Sequence, residues 1–273
     1  MESILIVIPA RYASSRFPGK PLARIAGVEM IKRVAAIAAS VCRKNPACDY
    51  TVATDDARIL DFCAAAAIPA LMTAESCRSG TERCWDAVTR QEKRADFIIN
   101  LQGDNPLCPP HVIQALIDAW KASGADVVTP CVRLNWAEYE SLTRDKTVSP
   151  YSGTTVLVDR QGFALVFSKA ILPVVRDLAE AKKCMDVSPV RRHIGLYAYT
   201  RSALEAYFGL PPSLGEQAYL EGLEQMRFLE NGLRIKIAEV DYLGRESCSG
   251  VDSPEDVKRV ERILAEFGEL DVS

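Results

Sequence analysis

The sequence predicts an α/β fold, with helices on both faces of a mainly parallel central sheet and a smaller β-rich portion inserted later in the chain. Short apolar runs such as residues 4–8 (ILIVI) are typical of strands buried on both faces. These runs alternate with segments of helical periodicity as far as Val132, after which paired β-type runs take over. With 48% hydrophobic residues among 273, the chain can bury a sizeable core. No repeat or linker divides it, so we expect one domain.

The first half of the chain reads as a β-α-β series. The opening strand should end at Pro9, and a loop should follow to about residue 22. The next helix has Met30, Ile31, Val34 and Ile37 at helical spacing. The predicted strands here are 4–8, 50–54, 69–72, 97–101 and 126–128, and the predicted helices are 28–42, 57–67, 80–92 and 111–122.

The second half begins with a predicted hairpin whose strands, 154–159 and 163–168, flank Arg160-Gln161-Gly162. Residues 174–191 are predicted to be a loop with some helix. Strands at 193–200 and 233–240 and helices at 202–208 and 216–231 should follow. A last helix should run to about Phe267, with Ser253 as N-cap and Pro254 in the first helical position.

Charge and cysteine usage exclude several classes of protein. A formal charge of −3 argues against nucleic-acid or anionic-membrane binding, so an anionic ligand needs a local basic site. No apolar run approaches the roughly 18 residues of a membrane span, and no basic flank of a secretory signal precedes Ile4, so we expect a cytoplasmic protein. Nine cysteines without a Cys-x-x-Cys pair, and only two histidines, fit neither a disulfide framework nor a thiolate zinc site.

A cationic loop follows the first predicted strand, where ligands of parallel sheets bind. It contains Arg11, Arg16 and Lys20 among small residues, which lets backbone N–H groups and charged side chains approach phosphate oxygens. The spacing excludes a P-loop, and no Gly-x-Gly-x-x-Gly supports a dinucleotide site. A solvated basic loop is the alternative.

Three further polar segments fall at predicted strand or helix ends. Asp104 follows the strand at 97–101, where an Asx turn is the simpler explanation. Asp252 precedes the last helix, where capping of the helix is the simpler explanation. If both aspartates converge with the cationic loop, they suit Mg²⁺, which prefers one or two carboxylates plus substrate phosphates. Residues 79–83 (SGTER) begin a helix that could bind a base or phosphate, or Ser79 and Glu82 could simply form a capping box.

Seven ordered segments together resemble the 3-deoxy-manno-octulosonate (Kdo) cytidylyltransferases, the CMP-Kdo synthetases, nearly end to end. They are 8–22 (IPARYASSRFPGKPL), 52–56 (VATDD), 79–83 (SGTER), 100–104 (NLQGD), 192–199 (RHIGLYAY), 223–227 (LEQMR) and 250–256 (GVDSPED). The resemblance implies a Rossmann-like nucleotide-diphospho-sugar transferase fold and a cytosolic homodimer that uses CTP and magnesium to make a CMP-sugar and pyrophosphate. It implies a nucleotide-binding half (1–133), an acceptor-binding and dimerisation portion (134–245) and a C-terminal metal-site loop and helix (246–273).

The resemblance also implies roles for individual residues. Arg11 and Lys20 would contact the CTP phosphates, with Lys20 offsetting charge on the departing pyrophosphate, and Asp104 and Asp252 would hold magnesium. The substrate-binding residues implied in this way are Ala10, Arg16, Arg78, Ser79, Gly80, Gln102, His193, Tyr197, Glu224 and Gln225. His193 could equally be a core histidine.

Departures from the family pattern fall on the acceptor side. Cys77 stands where relatives usually have His, Asn105 where they have Glu or Gln, Thr155 where they have Lys, and Lys169 where they have Arg. Relative to the family pattern, two residues are added between 217 and 223. The sequence therefore leaves open another acid as acceptor, such as 8-amino-Kdo or phosphonoformate, and a non-catalytic nucleotide-binding homologue. A nicotinamide dehydrogenase lacks its glycine fingerprint.

Overall fold

The structure is a computed structural model that describes residues 2–13, 16–245 and 250–272. Cys248 and the serines at 14 and 15 lie outside the described residues, as does the beginning of the expected C-terminal part at 246. The strands are β1 (Ile4–Ala10), β2 (Arg24–Ile25), β3 (Val28–Glu29), β4 (Cys48–Thr54), β5 (Ala70–Met72), β6 (Phe97–Asn100), β7 (Val127–Arg133), β8 (Thr154–Val158), β9 (Ala164–Ser168), β10 (Arg191–His193), β11 (Tyr197–Thr200) and β12 (Ile235–Glu239). The α-helices are α1 (Met30–Lys44), α2 (Ala57–Ala65), α3 (Gly80–Arg90), α4 (Pro110–Ser123), α5 (Trp136–Val148), α6 (Leu178–Cys184), α7 (Arg201–Tyr207), α8 (Met226–Glu230) and α9 (Pro254–Phe267).

The chain divides into two compact units. The first comprises Met1–Gln114, Leu196–Arg201 and Leu243–Ser273. Its sheet has the order β5-β4-β1-β6-β11, in which the first four strands are parallel and β11 is antiparallel to β6. This arrangement confirms the predicted α/β fold with a mainly parallel sheet.

The second unit comprises Ala115–Gly195 and Ser202–Tyr242. It contains the paired strands predicted after Val132, but it begins earlier, at Ala115, and helices α5, α6 and α8 lie within it beside the strands. β8 and β9 form the predicted antiparallel hairpin, β10 lies antiparallel to both β7 and β8, and β12 is parallel to β7.

Strand β1 is the centre of the first unit and carries the chain to the pocket described below. Ile6, Val7 and Ile8 are fully buried, and the strand pairs with β4 on one side and β6 on the other, while α1 and α3 contact it. The strand continues through Pro9 to Ala10, so the predicted end at Pro9 was wrong. Pro9 lacks a donor, but its carbonyl still accepts a hydrogen bond from Gly103 N at 3.3 Å, and the backbone remains extended.

Two other predictions differ from the structure, and one helix was not predicted. Only Met226–Glu230 of the predicted helix 216–231 is helical, because Gly222 takes a positive φ of 64° and the chain before it is closed by turns. The predicted strand 193–200 is two strands, since the chain leaves the ladder at residues 194–196. Helix α5 was not predicted, and Leu142 is its single buried residue, so it has no apolar stripe to detect.

The C-terminal helix α9 begins as predicted. The Ser253 hydroxyl caps it by accepting from Asp256 N, the Asp256 carboxylate accepts from Ser253 N, and Pro254 occupies the first turn. Val260, Ile263 and Leu264 anchor the helix in a core cluster with Val251, which fixes the segment before the cap. Among the described residues, the structure contains no helix that is both long and apolar enough to cross a bilayer.

Candidate active site

A polar pocket of about 210 Å³ lies in the first unit, at the carboxyl ends of β1 and β6. Its lining contains most of the residues that the sequence singled out. The lining residues are Pro9, Ala10, Arg11, Arg16, Lys20, Pro21, Cys77, Arg78, Ser79, Gly80, Arg83, Gln102, Gly103, Asp104 and Asp252. The cationic loop, the head of α3 and the two aspartates therefore converge, as hypothesised from the sequence.

Gly103 allows the two strand ends to approach closely. A Cβ atom at this position would lie only 2.5 Å from the Pro9 carbonyl oxygen, so a side chain there would push the ends of β1 and β6 apart. Its backbone N–H donates to that same carbonyl. Glycine at 103 thus allows Ala10 and Asp104 to line one pocket.

Lys20 joins the two aspartates. Its Nζ lies 2.7 Å from Asp104 Oδ2 and 3.4 Å from Asp252 Oδ1, although the two carboxylates are far apart in sequence. Only 13% of the Lys20 side chain is exposed, so its ammonium is directed into the pocket and away from bulk water. Arg16 adds a second cation 3.3 Å from Asp252 Oδ1, in a more exposed position.

The segment 250–252 is fixed against Asp104 by its backbone. Val251 N donates to the Asp104 carbonyl at 2.8 Å, and Asp252 N donates to Asp256 Oδ2 at 3.0 Å. A Cβ at Gly250 would stand 2.9 Å from Asp104 Oδ1, so only glycine leaves that carboxylate its place. The N-cap of α9 is Ser253, so capping does not explain the position of Asp252.

The head of α3 forms another wall of the pocket. Ser79 is its N-cap and accepts from Glu82 N at 3.1 Å, which confirms the predicted cap, while Glu82 accepts from Arg78 N. Gly80 faces Gln102, whose Oε1 would lie 3.0 Å from an added Cβ. Gln102 Nε2 donates to Asn100 Oδ1 at 3.0 Å, and this bond holds its amide group against Gly80.

Arg83 and Cys77 line the pocket but were not among the predicted site residues. Arg83 is only 3% exposed and donates to Thr73 Oγ1 and Asp55 Oδ2, each at 2.6 Å. Its position four residues after Ser79, on the same face of the helix, is a signal that could have identified it. Cys77 is half-buried, and burial raises the pKa of its thiol above the usual value.

The donor set fits a magnesium ion. Asp104 and Asp252 present carboxylate oxygens to one ammonium group, and Gly250 leaves the space that the Asp104 carboxylate occupies. No cluster of three or more His, Cys, Asp or Glu side chains with metal-site geometry occurs among residues 2–13, 16–245 and 250–272. Two carboxylates completed by phosphate oxygens and water match the preference of Mg²⁺ rather than that of zinc or calcium.

Four predicted acceptor residues do not line this pocket. Tyr197 lies on β11, stacked against Tyr199 with ring centroids 6.2 Å apart. His193 belongs to the second unit, where its Nε2 lies 2.8 Å from Thr129 Oγ1 and its ring contacts the edge of Phe167. Burial, together with the charge of Lys169, lowers the pKa of His193 to about 3. The imidazole is therefore neutral at physiological pH.

Glu224 and Gln225 also lie in the second unit. Gln225 is buried at the start of α8, and Glu224 is close enough to Tyr207 to add to the effect of burial, which raises the pKa of that phenol. Arg227 stacks over the same Tyr207 ring at 4.5 Å and pairs with Glu216. These side chains form a partly buried polar group around Tyr207.

Two of the departures from the family pattern lie side by side in the second unit. Thr155 is fully buried and donates to the Ala170 carbonyl at 2.7 Å, so its hydroxyl is committed to the backbone. Lys169 donates to Thr154 Oγ1 at 3.0 Å, and burial lowers the pKa of its ammonium. Asn105, by contrast, is buried directly after Asp104.

The chain is similar to known proteins along most of its length. The cytidylyltransferase family model matches residues 5–236. The chain is 47% identical to 3-deoxy-manno-octulosonate cytidylyltransferase of Maricaulis maris, over 98% of this chain and 99% of that protein. It is 44% identical to the protein of the same name from Syntrophotalea carbinolica, over 96% and 98% of the two chains.

Solved structures are similar as well. CMP:2-keto-3-deoxy-manno-octonic acid synthetase complexed with CTP superposes with a TM-score of 0.82 at 34% identity, covering 97% of this chain and 100% of the other. A 4-diphosphocytidyl-2C-methyl-D-erythritol synthase from Anaerococcus prevotii, at 10% identity and a TM-score of 0.58, shares the fold. That match covers 97% of this chain and 96% of the other.

Proposed function

This chain belongs to the cytidylyltransferase family, among the Kdo cytidylyltransferases, and from that premise we propose that it transfers CMP from CTP to Kdo, forming CMP-Kdo and pyrophosphate. The observation that carries the proposal is the convergence of Lys20 with Asp104 and Asp252 in a pocket whose other cations are Arg11, Arg16, Arg78 and Arg83. Arg83 is paired with Asp55, and the remaining cations outnumber the two aspartates. Such a pocket suits a triphosphate.

The reaction needs no protein nucleophile. The anomeric hydroxyl of Kdo attacks the α-phosphorus of CTP, and the bond from that phosphorus to the oxygen leading to the β-phosphorus breaks. Lys20, at the centre of the pocket, neutralises negative charge that accumulates on the departing pyrophosphate, while Arg11 and Arg16 bind outer phosphate oxygens. Positioning and charge neutralisation thus supply most of the rate enhancement.

Asp104 and Asp252 would hold Mg²⁺. When bound, the ion supplies positive charge and Lewis acidity at the phosphate oxygens. The two aspartates are suited to this role because their oxygens already share one cation, Lys20, and because the Val251–Asp104 backbone bond fixes their separation. Ser79, Gly80, Gln102 and Ala10 would form the wall against the nucleoside.

A pyrophosphate-release assay tests the function. The enzyme, with magnesium, is supplied with each of CTP, UTP, ATP and GTP and with each of Kdo, 8-amino-Kdo and phosphonoformate. We expect CTP with Kdo to give the highest kcat/KM. Faster turnover with another acid would assign a different acceptor, in keeping with Thr155 and Lys169, and turnover with none would contradict the proposal.

A substitution separates catalysis from mere nucleotide binding. Asp104→Asn removes one carboxylate charge at constant size, and it should abolish pyrophosphate release while leaving cytidine nucleotide binding measurable by calorimetry. A nucleotide-binding protein without turnover would show no release in either form. The matched control is Asp49→Asn, which removes an exposed carboxylate from another Lys–Asp pair in the same unit.

We also propose that the enzyme works as a homodimer in the cytoplasm. Large apolar side chains of the second unit are exposed in the single chain, including Tyr219 at 79% and Leu214 at 71%, and an apolar surface of this kind suits a second copy. The cytoplasm is the compartment that supplies CTP. Light scattering after size-exclusion chromatography should give twice the 30.0 kDa mass of the chain, and a 30.0 kDa particle would contradict the dimer.

A further inference from the structure

Two cysteines that play no part in the pocket lie next to one another in the first unit. Cys42 is in the last turn of α1, and Cys48 is the first residue of β4. Their Sγ atoms are 2.9 Å apart. A disulfide bond measures about 2.05 Å, so the two sulfur atoms need to approach by less than about 1 Å to bond.

The connection between α1 and β4 holds the two thiols in this arrangement. Asn45 N donates to the Cys42 carbonyl at 3.1 Å, and Cys48 N donates to the Asn45 carbonyl at 2.8 Å, so two successive turns bring the thiols together. The Asn45 side chain donates to the carbonyl of Val41 and to Gln114 Oε1. The pair is therefore preorganised by a hydrogen-bonded turn, and little backbone freedom remains to be lost when a bond forms.

Both thiols line an open cavity of about 710 Å³ that is separate from the proposed active site. Cys42 is half-buried, whereas Cys48 is 5% exposed. The cavity lies at the beginning of β4, and the proposed active site lies where the neighbouring, parallel β1 ends. The length of β4, roughly seven residues at about 3.3 Å each, therefore separates the two. A small reagent can thus reach the sulfur atoms without entering the CTP pocket.

We propose that Cys42 and Cys48 are a modification site at which a low-molecular-weight disulfide forms an intramolecular disulfide bond within the chain. Cys42 and Cys48 do not form a Cys-x-x-Cys motif, so a disulfide between them could not be expected from their spacing. The pairing depends instead on the end of α1 and the beginning of β4 meeting in the fold.

The exchange proceeds in two balanced steps. The Cys42 thiol loses its proton, and its sulfur attacks one sulfur of the reagent. The reagent's S–S bond breaks, and one small thiol leaves with the proton. Cys48 then loses its proton and attacks the Cys42 sulfur, which releases the second small thiol. In total, two protein thiols give up two electrons and two protons, and the reagent accepts both.

The environment of the pair indicates the order of the steps. Cys42 is half-buried and Cys48 is buried, so a reagent reaches Cys42 more easily and Cys42 is the first nucleophile. The contact with Cys42, followed by burial, also raises the pKa of the Cys48 thiol. Once Cys42 carries the small thiol, that contact no longer favours the protonated form of Cys48. The second step is then intramolecular over a short distance.

Peptide mapping of the full-length protein tests the proposal directly. Trypsin cleaves after Arg33, Arg43, Lys44 and Arg58, so Cys42 is the sole cysteine of peptide 34–43 and Cys48 the sole cysteine of peptide 45–58. After incubation with oxidised glutathione at pH 8 and alkylation of the remaining thiols, we expect these two peptides as one cross-linked species that dithiothreitol separates. Cys42 recovered as a glutathione adduct, or both cysteines recovered alkylated, would overturn the proposal.

Variants and two further measurements complete the test. Cys42→Ser should eliminate the cross-link, whereas Cys184→Ser, which removes an exposed cysteine of α6, should leave it intact. The oxidised protein should unfold at a higher temperature than the reduced protein, because the bond restricts the unfolded chain. Its kcat for pyrophosphate release should stay within twofold, and a larger loss would contradict the separation of the two sites.

Discussion

Lys20 contacts two carboxylates and is largely buried in the pocket. Its substitution should therefore affect catalysis. Replacing it by Met keeps much of the side-chain length but leaves Asp104 and Asp252 facing each other without the cation that now lies 2.7 Å and 3.4 Å from them. If Lys20 acts on the departing pyrophosphate, kcat should fall by at least about 100-fold, with a much smaller change in KM for CTP.

The control for this variant is Lys93→Met. Lys93 also forms a 2.7 Å pair with an aspartate, Asp49, but it is exposed and lies outside the CTP pocket. Steady-state pyrophosphate release should be unaffected in the control. A Lys20→Met enzyme that loses affinity for CTP but keeps its kcat would assign the lysine to ground-state binding instead.

Cys77 is a chemical probe of the same pocket. Burial raises the pKa of its thiol, so the reactive thiolate is scarce at pH 8 and its share should continue to increase well above that pH. We expect alkylation by iodoacetamide, followed by mass spectrometry, to be slow at pH 8, to accelerate towards pH 10, and to be suppressed by CTP. Cys184 should be alkylated equally with and without CTP, and the same result at Cys77 would exclude it from the nucleotide pocket.

At the scale of elements, Tyr12 and Gly19 of the cationic loop are held by packing that lies outside the pocket. The Tyr12 carbonyl accepts from Gly19 N at 2.9 Å, and the Tyr12 ring touches Gly19, where a Cβ would stand 3.1 Å from it. Gly19 has a φ of 73°, which glycine adopts without strain. Arg58 of α2 covers the Tyr12 ring, with Cζ 3.3 Å from its centroid. The position of the cationic loop therefore depends on the first turn of α2.

Substitution of Arg58 tests this dependence. Arg58→Ala removes the stacked guanidinium, which at an exposed site is worth about 0.5–1 kcal/mol, so KM for CTP should rise about twofold to fivefold while kcat changes little. Arg58→Lys should recover only part of the loss because lysine has no planar group to stack. Arg58 also pairs with Asp56, so the control is Arg90→Ala, which breaks a similar exposed pair with Asp86 on α3 and should leave KM unchanged. An equal effect of the two alanine variants would exclude a specific role for the Tyr12 stack.

Some secondary-structure elements could be predicted from the sequence, and others could not. The strands β1, β4 and β6 could be predicted because strands buried on both faces have short apolar and β-branched runs in the sequence. Helix α9 could be predicted because the residues of its N-cap and first turn follow one another directly in the sequence. Helix α5 and the turns before α8 could not, since the former has almost no buried face and the latter depends on the backbone of Gly222.

The same distinction holds for the pocket. The segments at strand and helix ends were enough to identify Arg11, Lys20, Asp104 and Asp252. The distances between them depend on Gly103 and Gly250, where a side chain would clash with neighbouring atoms. That clash can be recognised only once the fold is known. The roles of His193, Tyr197, Glu224 and Gln225 towards the acid sugar remain predictions, since none of them lines the pocket.

At the scale of the whole molecule, His193 should link stability to pH. In the folded state its pKa is lowered to about 3, chiefly by burial, whereas in the unfolded chain it should be near the ordinary value of 6.5. Between these two values the unfolded chain binds a proton that the folded chain does not. The stabilisation from neutral His193 is therefore fully present above pH 6.5 and is lost progressively as the pH falls towards 3.

Denaturant unfolding at pH 7 and pH 5 measures this linkage. From pH 7 to pH 5 the free energy of unfolding should fall by up to about 2 kcal/mol more in the native sequence than in His193→Gln, whose amide does not titrate but can still bond to Thr129 Oγ1. His111→Gln, at the chain's other histidine, which is exposed on α4, should keep the full pH dependence of the native sequence. If His193→Gln retained the same pH dependence, the imidazole would have to titrate alike in the folded and unfolded states. Its contacts with Thr129 and Phe167 would then not shield it from water.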